Sequence, residues 1–236
     1  MNGVNGRVVV VTGAAGSAGA ATTRALRAAG ATVVAVGHSP ERLAALADAN
    51  PGITTEVADL TGATAVQELA SRVRDRHGAV DGLVHLVGGY RGGRDFASNS
   101  DEDWRFLSAA LIDTLRHVTL SFHDDLVRST AGRAVIVSAR AAAQPSAGSA
   151  NYASAKAAAE TWMLALADSF RASAPNAAAT ILVIKALVDD RARAQSPERK
   201  FPGFTDANEL AARIVGLWSM DVQACNGARI RSTPDL

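Results

Sequence analysis

Apolar positions along the chain fall into two alternating patterns. Short unbroken runs rich in β-branched residues occur at Arg7–Val11, Ala31–Val36, Arg133–Ser138 and Thr180–Lys185. Each is too short for a helix and fits a strand buried on both faces. Thr54–Ala58, Gly82–Val87 and the short Ala228–Ile230 extend the series. Between them lie longer stretches that read as helices: Ser17–Ala29, Pro40–Ala49, Thr61–His77, Asp101–Leu126, Ser149–Ala172 and Asp206–Met220. Val66, Leu69 and Val73 recur at the spacing of one helix face. Local signals support the ends. Ser39 precedes Pro40 as an N-cap before a first-turn proline, and Gly30 stops the first helix. Ser100 followed by Asp103 forms a capping box.

Strands alternating with helices predict parallel βαβ units and a doubly wound, seven-stranded sheet with helices on both faces. The predicted fold class is therefore α/β, a single Rossmann-type domain over residues 1–236. No composition break, linker or repeat divides the chain. The two least regular stretches are Gly88–Ser100 and Asp189–Thr205. Both follow the carboxyl ends of strands, where open α/β sheets bind ligands, and loops of this length inside a compact domain are usually functional.

Composition narrows the function. The chain has 236 residues, is 48% hydrophobic and 20% charged, and carries a formal net charge of +1. That balance gives no footprint for nucleic acid and no polybasic membrane patch. No apolar run approaches the roughly 18 residues of a membrane span. The Asn- and Gly-rich start, Met1 to Arg7, lacks the regions of a signal peptide. Cys225 is the sole cysteine and cannot form an internal disulfide, so a cytoplasmic setting is expected. His38, His77, His85, His117 and His123 form no close cluster with other ligand types, so no metal is expected.

Two motifs carry chemistry. The first is Thr12-Gly13-Ala14-Ala15-Gly16-Ser17-Ala18-Gly19, directly after the first strand. Small residues in a strand–turn–helix let backbone N–H groups approach a pyrophosphate at the positive end of a helix. An ordinary tight turn has similar composition; the strand before and the helix after favour a dinucleotide site. After the second strand stands Gly37-His38-Ser39, with no acid to bind a ribose 2′-hydroxyl. That leaves room for a 2′-phosphate on His38 and Ser39, and favours NADP over NAD. The plainer reading makes His38 an exposed turn residue.

The second motif is Tyr152-Ala-Ser-Ala-Lys156, which sets Tyr and Lys side by side on one helix face. A nearby ammonium would lower the phenol pKa toward working pH and fit it for proton transfer.

These residues resemble the short-chain dehydrogenase/reductase family over nearly the whole chain, Val8 to about Ile230. The resemblance rests on the Thr12–Gly19 turn, Asp59-Leu60 after strand three, Gly88 after strand four, and Tyr152 with Lys156. It implies an NAD(P)-dependent oxidoreductase acting on a small molecule and assembled as a homotetramer or homodimer. It also implies a nucleotide held by Gly13, Ala15, Gly16, Ser17, Ala18, Gly19, His38, Ser39, Asp59, Leu60, Val87, Gly88 and Gly89. Tyr152 would be the acid/base, and Lys156 would tune it and bind the nicotinamide ribose.

The chain departs from the family pattern in four places. Ser17 stands at the usual second glycine. His85-Leu86-Val87-Gly88 replaces Asn-Asn-Ala-Gly. Leu111 takes the place of the catalytic asparagine, and Ala139 that of the catalytic serine. Ser138 is adjacent, but successive strand residues face opposite sides, so it substitutes as a catalytic residue only if the strand has ended there. The Gly-Gly-Tyr-Arg-Gly-Gly loop (88–93) and Ala139 are locally similar to the branch around dihydropteridine reductase, which keeps Tyr and Lys and acts on a quinonoid ring. In the long loops, Tyr90, Arg91 and Arg94 lie near the expected nicotinamide pocket, where either Arg91 or Arg94 grips an anion or the stretch is a solvated Gly-rich loop. Arg191, Arg193, Arg199 and Lys200 decorate the expected substrate lid. Lys185-Ala186 and Asp190 stand where the family has Pro-Gly and Thr. Trp104, Trp162 and Trp218 are expected to pack. The leading expectation is hydride transfer to or from a carbonyl or quinonoid small molecule. The rival, favoured by Leu111 and Ala139, is a nucleotide-binding protein of little or no activity, such as a redox sensor or an inactive subunit.

Overall fold

The structure is a computed structural model and describes residues 3–231. Seven strands form one sheet: β1 (Val8–Thr12), β2 (Thr32–Gly37), β3 (Thr54–Val57), β4 (Gly82–His85), β5 (Arg133–Ala139), β6 (Ala178–Ile184) and β9 (Arg229–Arg231). Their order is β3-β2-β1-β4-β5-β6-β9, and every pairing is parallel. A further pair, β7 (Leu187–Val188) and β8 (Thr205–Asp206), makes a small parallel sheet of its own. The chain winds outward from β1 to β3, returns to the middle, and winds the other way from β4. The order reverses between β1 and β4, whose ends are in register at Thr12 and His85. A crevice opens beyond the carboxyl ends of strands at such a switch point.

The core follows from the period of two along each strand. Val10, Val34, Leu83, Ile136 and Ile181 pack with helices α3 (Ala63–His77), α5 (Thr114–Arg128) and α6 (Ala150–Ser173) through Val66, Phe122, Met163 and Phe170. The alternate residues Val9, Val11, Val84, Val135 and Leu182 pack on the other face. Their partners are α1 (Ser17–Ala28), α2 (Pro40–Ala49) and α8 (Ala207–Gly216), through Leu26, Leu43 and Ile214. Burial on both faces is why these strands read as unbroken apolar runs.

Several boundaries differ from the sequence reading. β4 ends at His85, two residues early. The helix expected over Asp101–Leu126 is α4 (Asp101–Ser108) and α5, joined by one π-helical turn, Ala109–Asp113. The helix expected to reach Met220 ends at Gly216 and tightens into a 3₁₀ turn, Leu217–Ser219. The stretch 189–205 contains a short helix, α7 (Asp190–Gln195), capped by Asp189. Another short helix, α9 (Val222–Cys225), precedes β9. Among the described residues, no helix is long and apolar enough to cross a membrane.

Candidate active site

The turn after β1 is shaped by what a side chain would strike. Gly13 has φ +71°, and a Cβ there would lie 2.8 Å from the backbone of Leu86 and Val87. A Cβ on Gly19 would lie 2.2 Å from the Gly13 carbonyl oxygen. The turn thus closes tightly against α1 and against the segment after β4. At the start of α1, Gly16 is the N-cap and no side chain caps it.

A cavity of about 460 Å³ lies in front of this turn. Gly13, Ala15, Gly16, His38, Ser39, Asp59, Leu60, Val87 and Gly88 line it, and so gather most of the residues expected at a nucleotide. Ser39 is also the N-cap of α2, accepting from the Arg42 N–H at 3.3 Å. Asp59 accepts from both the backbone N–H and the hydroxyl of Thr61, bonds that hold its carboxyl below the usual range. Arg42, absent from the sequence reading, reaches across the mouth from the first turn of α2. Its guanidinium donates to the Ala15 carbonyl at 2.5 Å.

Two residues of the turn act elsewhere. Gly19 lines neither cavity and serves the close approach just described. The Ser17 hydroxyl bonds to the carboxylate of Asp189, and this bond is the main reason that carboxyl is held below its ordinary pKa. Asp189 also accepts from the Ala192 N–H at 2.7 Å. The serine at the expected glycine position therefore ties the turn to the start of α7.

The second cavity, about 800 Å³, shares Leu86, Val87 and Gly88 with the first. Ala18, Gly89, Tyr152 and Lys156 are on its wall. Tyr152 and Lys156 lie one turn apart on α6, with the Lys156 ammonium 6.0 Å from the Tyr152 ring centre. That ammonium donates to the Val137 carbonyl at 2.7 Å. Burial lowers the Lys156 pKa to about 8, partly opposed by Glu160. The expectation that lysine depresses the tyrosine pKa is not met in this arrangement. Burial, with a contribution from Tyr90, pushes Tyr152 up to about 12. Tyr90 meets Tyr152 edge-on, ring centres 5.0 Å apart.

Ser138 is corrected by the same geometry. β5 runs on through Ala139, so the strand has not ended and Ser138 faces α6. Its hydroxyl donates to Glu160 Oε1 at 2.5 Å, and Glu160 is clasped by Arg229 at 2.7 and 3.0 Å. Ser138 borders the cavity but its hydroxyl is committed to this buried group, so it is withdrawn from the catalytic set. Ala139, also on the wall, offers only a methyl group.

The other departures are filled by packing. Leu111 sits in the π-helical turn, buried with Leu107 and Ala155 and against Tyr152. His85 is buried between Thr12 and Thr114, its Nδ1 2.7 Å from one hydroxyl and its Nε2 3.2 Å from the other. The Thr114 hydroxyl donates to the Ala110 carbonyl. It therefore accepts from His85 Nε2–H, and Thr12 donates to Nδ1. Burial, with Lys156 nearby, lowers the His85 pKa to about 3 and keeps it neutral. The imidazole thus joins the end of β1 to α5.

In the loop after β4, Arg91 is not available as an anion grip. It pairs with Glu102 and Asp103 at 3.2 and 3.1 Å and lies over the Phe106 ring. The loop is pinned beside Tyr152: Gly93 N–H donates to the Gly148 carbonyl, and Asn151 N–H donates to Asn99 Oδ1. Of the tryptophans, Trp218 is buried and Trp162 donates to Thr119, whereas Trp104 is exposed rather than packed.

The parallel seven-stranded sheet agrees with comparisons to known proteins. The sequence profile of the short chain dehydrogenase family matches residues 7–184. The chain is 32% identical over 161 residues to 2,3-dihydro-2,3-dihydroxybenzoate dehydrogenase of Bacillus subtilis, a match covering 66% of this chain and 61% of that one. It is 40% identical over 156 residues to an uncharacterized oxidoreductase of Mycobacterium tuberculosis, covering 65% and 59%. The chain spans less than two thirds of the length of these curated relatives. Among solved structures, a short-chain type dehydrogenase/reductase from Mycobacterium ulcerans superposes with TM-score 0.86 at 24% identity, covering 97% of this chain and 89% of that one. A metagenomic short-chain oxidoreductase in complex with NADP superposes with TM-score 0.80 at 24% identity, covering 98% and 99%.

Proposed function

The chain belongs to the short-chain dehydrogenase family, and on that footing we propose that it is an NADP(H)-preferring oxidoreductase acting on a carbonyl or quinonoid small molecule. One observation carries the proposal. The glycine-walled cavity and the Tyr152/Lys156 cavity share Leu86, Val87 and Gly88, and so form one cleft at the switch point.

The cleft fits a dinucleotide because a Cβ at Gly13 or Gly19 would fill the space the turn needs, and because the start of α1 has no side-chain cap. Gly13, Ala15, Gly16 and the α1 N-terminus would hold the pyrophosphate, with Asp59 and Leu60 at the adenine. Bound there, the dinucleotide supplies or accepts hydride. Tyr152 holds its proton at Oη through the neutral range, because burial raises its pKa to about 12, and gives it to a substrate oxygen during reduction. Lys156 carries a positive charge below about pH 8 and orients the ribose side of the cleft. Ala139 gives the substrate oxygen no second donor, which suits an acceptor that leans on tyrosine alone. The quinonoid class stays among the candidates for that reason.

The preference for NADP(H) rests on Gly37-His38-Ser39, which contains no acid at the end of β2, and on Arg42, whose positive charge at the same rim stands beside Glu41, the acceptor of the Ser39 hydroxyl at 2.8 Å. That a metagenomic relative was solved with NADP supports it. Exposed Trp104, Leu120 and Leu164 on α4, α5 and α6 support assembly as a homotetramer or homodimer, read by light scattering. A cytoplasmic setting rests on the single, buried cysteine. A second reading, nucleotide binding without turnover, draws on Leu111 and Ala139.

The test is the melting temperature with NADPH and with NADH. A ligand at a hundred times its dissociation constant adds about 2.7 kcal/mol, enough to raise the midpoint visibly. The larger shift is expected with NADPH. No shift with either, in a folded sample, overturns the proposal.

A further inference from the structure

The second cavity is unbalanced in charge. Lys156, Lys185 and Arg199 line it, and no aspartate or glutamate does. Lys156 is committed to the Val137 carbonyl and stands a turn from Glu160. The other two are not committed. Among the described residues, the exposed Lys185 ammonium donates only to the Pro202 carbonyl, at 3.2 Å. The Arg199 guanidinium lies over the rings of Phe201 and Phe204, at 5.2 and 5.7 Å, and pairs with no carboxylate among the described residues. Other arginines around the cleft do have such partners: Arg91 has Glu102 and Asp103, Arg193 has Asp206, and Arg229 has Glu160.

The remaining wall is apolar and aromatic. Tyr90 leaves 67% of its surface exposed beside Tyr152, and Phe204 stands on the Arg199 side. A cavity of this size suits a small organic ligand. Two unpaired cations on low-dielectric walls concentrate negative charge, and a stacked guanidinium keeps its donor fork oriented for a carboxylate or phosphate.

We infer that the substrate is a small planar carbonyl or quinonoid compound carrying an anionic head group, a carboxylate or a phosphate, bound by Lys185 and Arg199. Its ring lies against Tyr90 and Phe204 while its carbonyl oxygen meets Tyr152. This inference rests on the functional reading above.

Calorimetry on the protein saturated with NADP⁺ tests the two separately. The first titration is NADP⁺ itself, and failure there overturns the functional reading. The second uses matched ketones: 4-acetylbenzoate, 4-acetylphenyl phosphate and uncharged 4-acetylbenzamide. At least one anionic ketone should bind about tenfold or more tightly than the amide, as charge-assisted hydrogen bonds imply, and the tighter of the two identifies the head group. Arg199→Gln and Lys185→Gln should each remove most of that advantage and leave the amide unchanged. Both positions are exposed, so the melting temperature should hold. Equal affinity for acid and amide with NADP⁺ bound overturns the inference. So does a pair of variants that weaken NADP⁺ but keep the preference for the acid, since the cations would then serve the nucleotide.

Discussion

One end of the cleft is made of backbone and the other of side chains. At the proposed nucleotide end, Gly13, Gly16 and Gly19 bring main chain against main chain, and Arg42 and Asp59 add one charge of each sign. At the substrate end, Tyr90, Tyr152, Lys156, Lys185, Arg199 and Phe204 come from three separate segments of the chain. The backbone end keeps its family shape even with Ser17 in the turn. The side-chain end has Leu111 and Ala139 where two polar members were expected, and carries Lys156, Lys185 and Arg199 on its wall. A site built from main chain tolerates few changes because every atom sits at contact distance. A site built from side chains can be re-specified one residue at a time.

The largest effect expected from breaking this contrast is at Gly19. Gly19→Ala sets a methyl group 2.2 Å from the Gly13 carbonyl, with no flexible atom to yield. Loss of the NADPH-induced melting shift is expected, with a stability loss of about 1–3 kcal/mol in denaturant titration. An unchanged shift would mean that the turn is looser than its contacts.

Next comes Ser138→Ala, a change close to the reacting centre that should act as a structural one. Removing the hydroxyl from Glu160 should cost about 1.5–3 kcal/mol, as for hydrogen bonds to charged groups, with kcat kept. A collapse of kcat at unchanged stability would return Ser138 to the catalytic set. A smaller effect is expected for Arg42→Gln. It should weaken NADPH by about tenfold, as befits one charged contact, and leave NADH unchanged.

The smallest effects are in the pH dependence of stability. Lys156 has a folded pKa of about 8 against an ordinary 10.5, so the unfolded chain holds more protons between those values. Its contribution is full above about pH 10.5 and is lost as the pH falls through 8, so in that window it makes stability rise with pH. His85, at about 3 against 6.5, gives the same sign in acid: stability falls as the pH drops from 6.5 toward 3. Burial also lowers His77, so His85→Gln compared with the native chain isolates the His85 share.

The sheet was legible because buried parallel strands are continuous apolar runs, and the tight glycine-rich turn, the candidate nucleotide site, because small residues directly follow the first of them. Tyr152 and Lys156 were legible because a helix puts residues four apart on one face. What stayed hidden depended on distant partners. Arg91 read as free until the fold brought Glu102 and Asp103 to it. Ser138 turned on whether β5 extends one residue further. Arg42 signals only once α2 folds its first turn back over Ala15. The pKa of Tyr152 is set by burial and Tyr90 more than by the lysine one turn away, a balance that spacing alone does not reveal.

The central claim is that Tyr152 moves the proton in a cleft that holds the nucleotide independently of it. The direct measurement is Tyr152→Phe, scored for NADPH affinity and for NADPH oxidation across a panel of ketones and quinones. The account predicts native affinity and turnover reduced by about a hundredfold or more, the usual share of a general acid. Equal turnover in both proteins, or no turnover in either with NADPH bound, would contradict it.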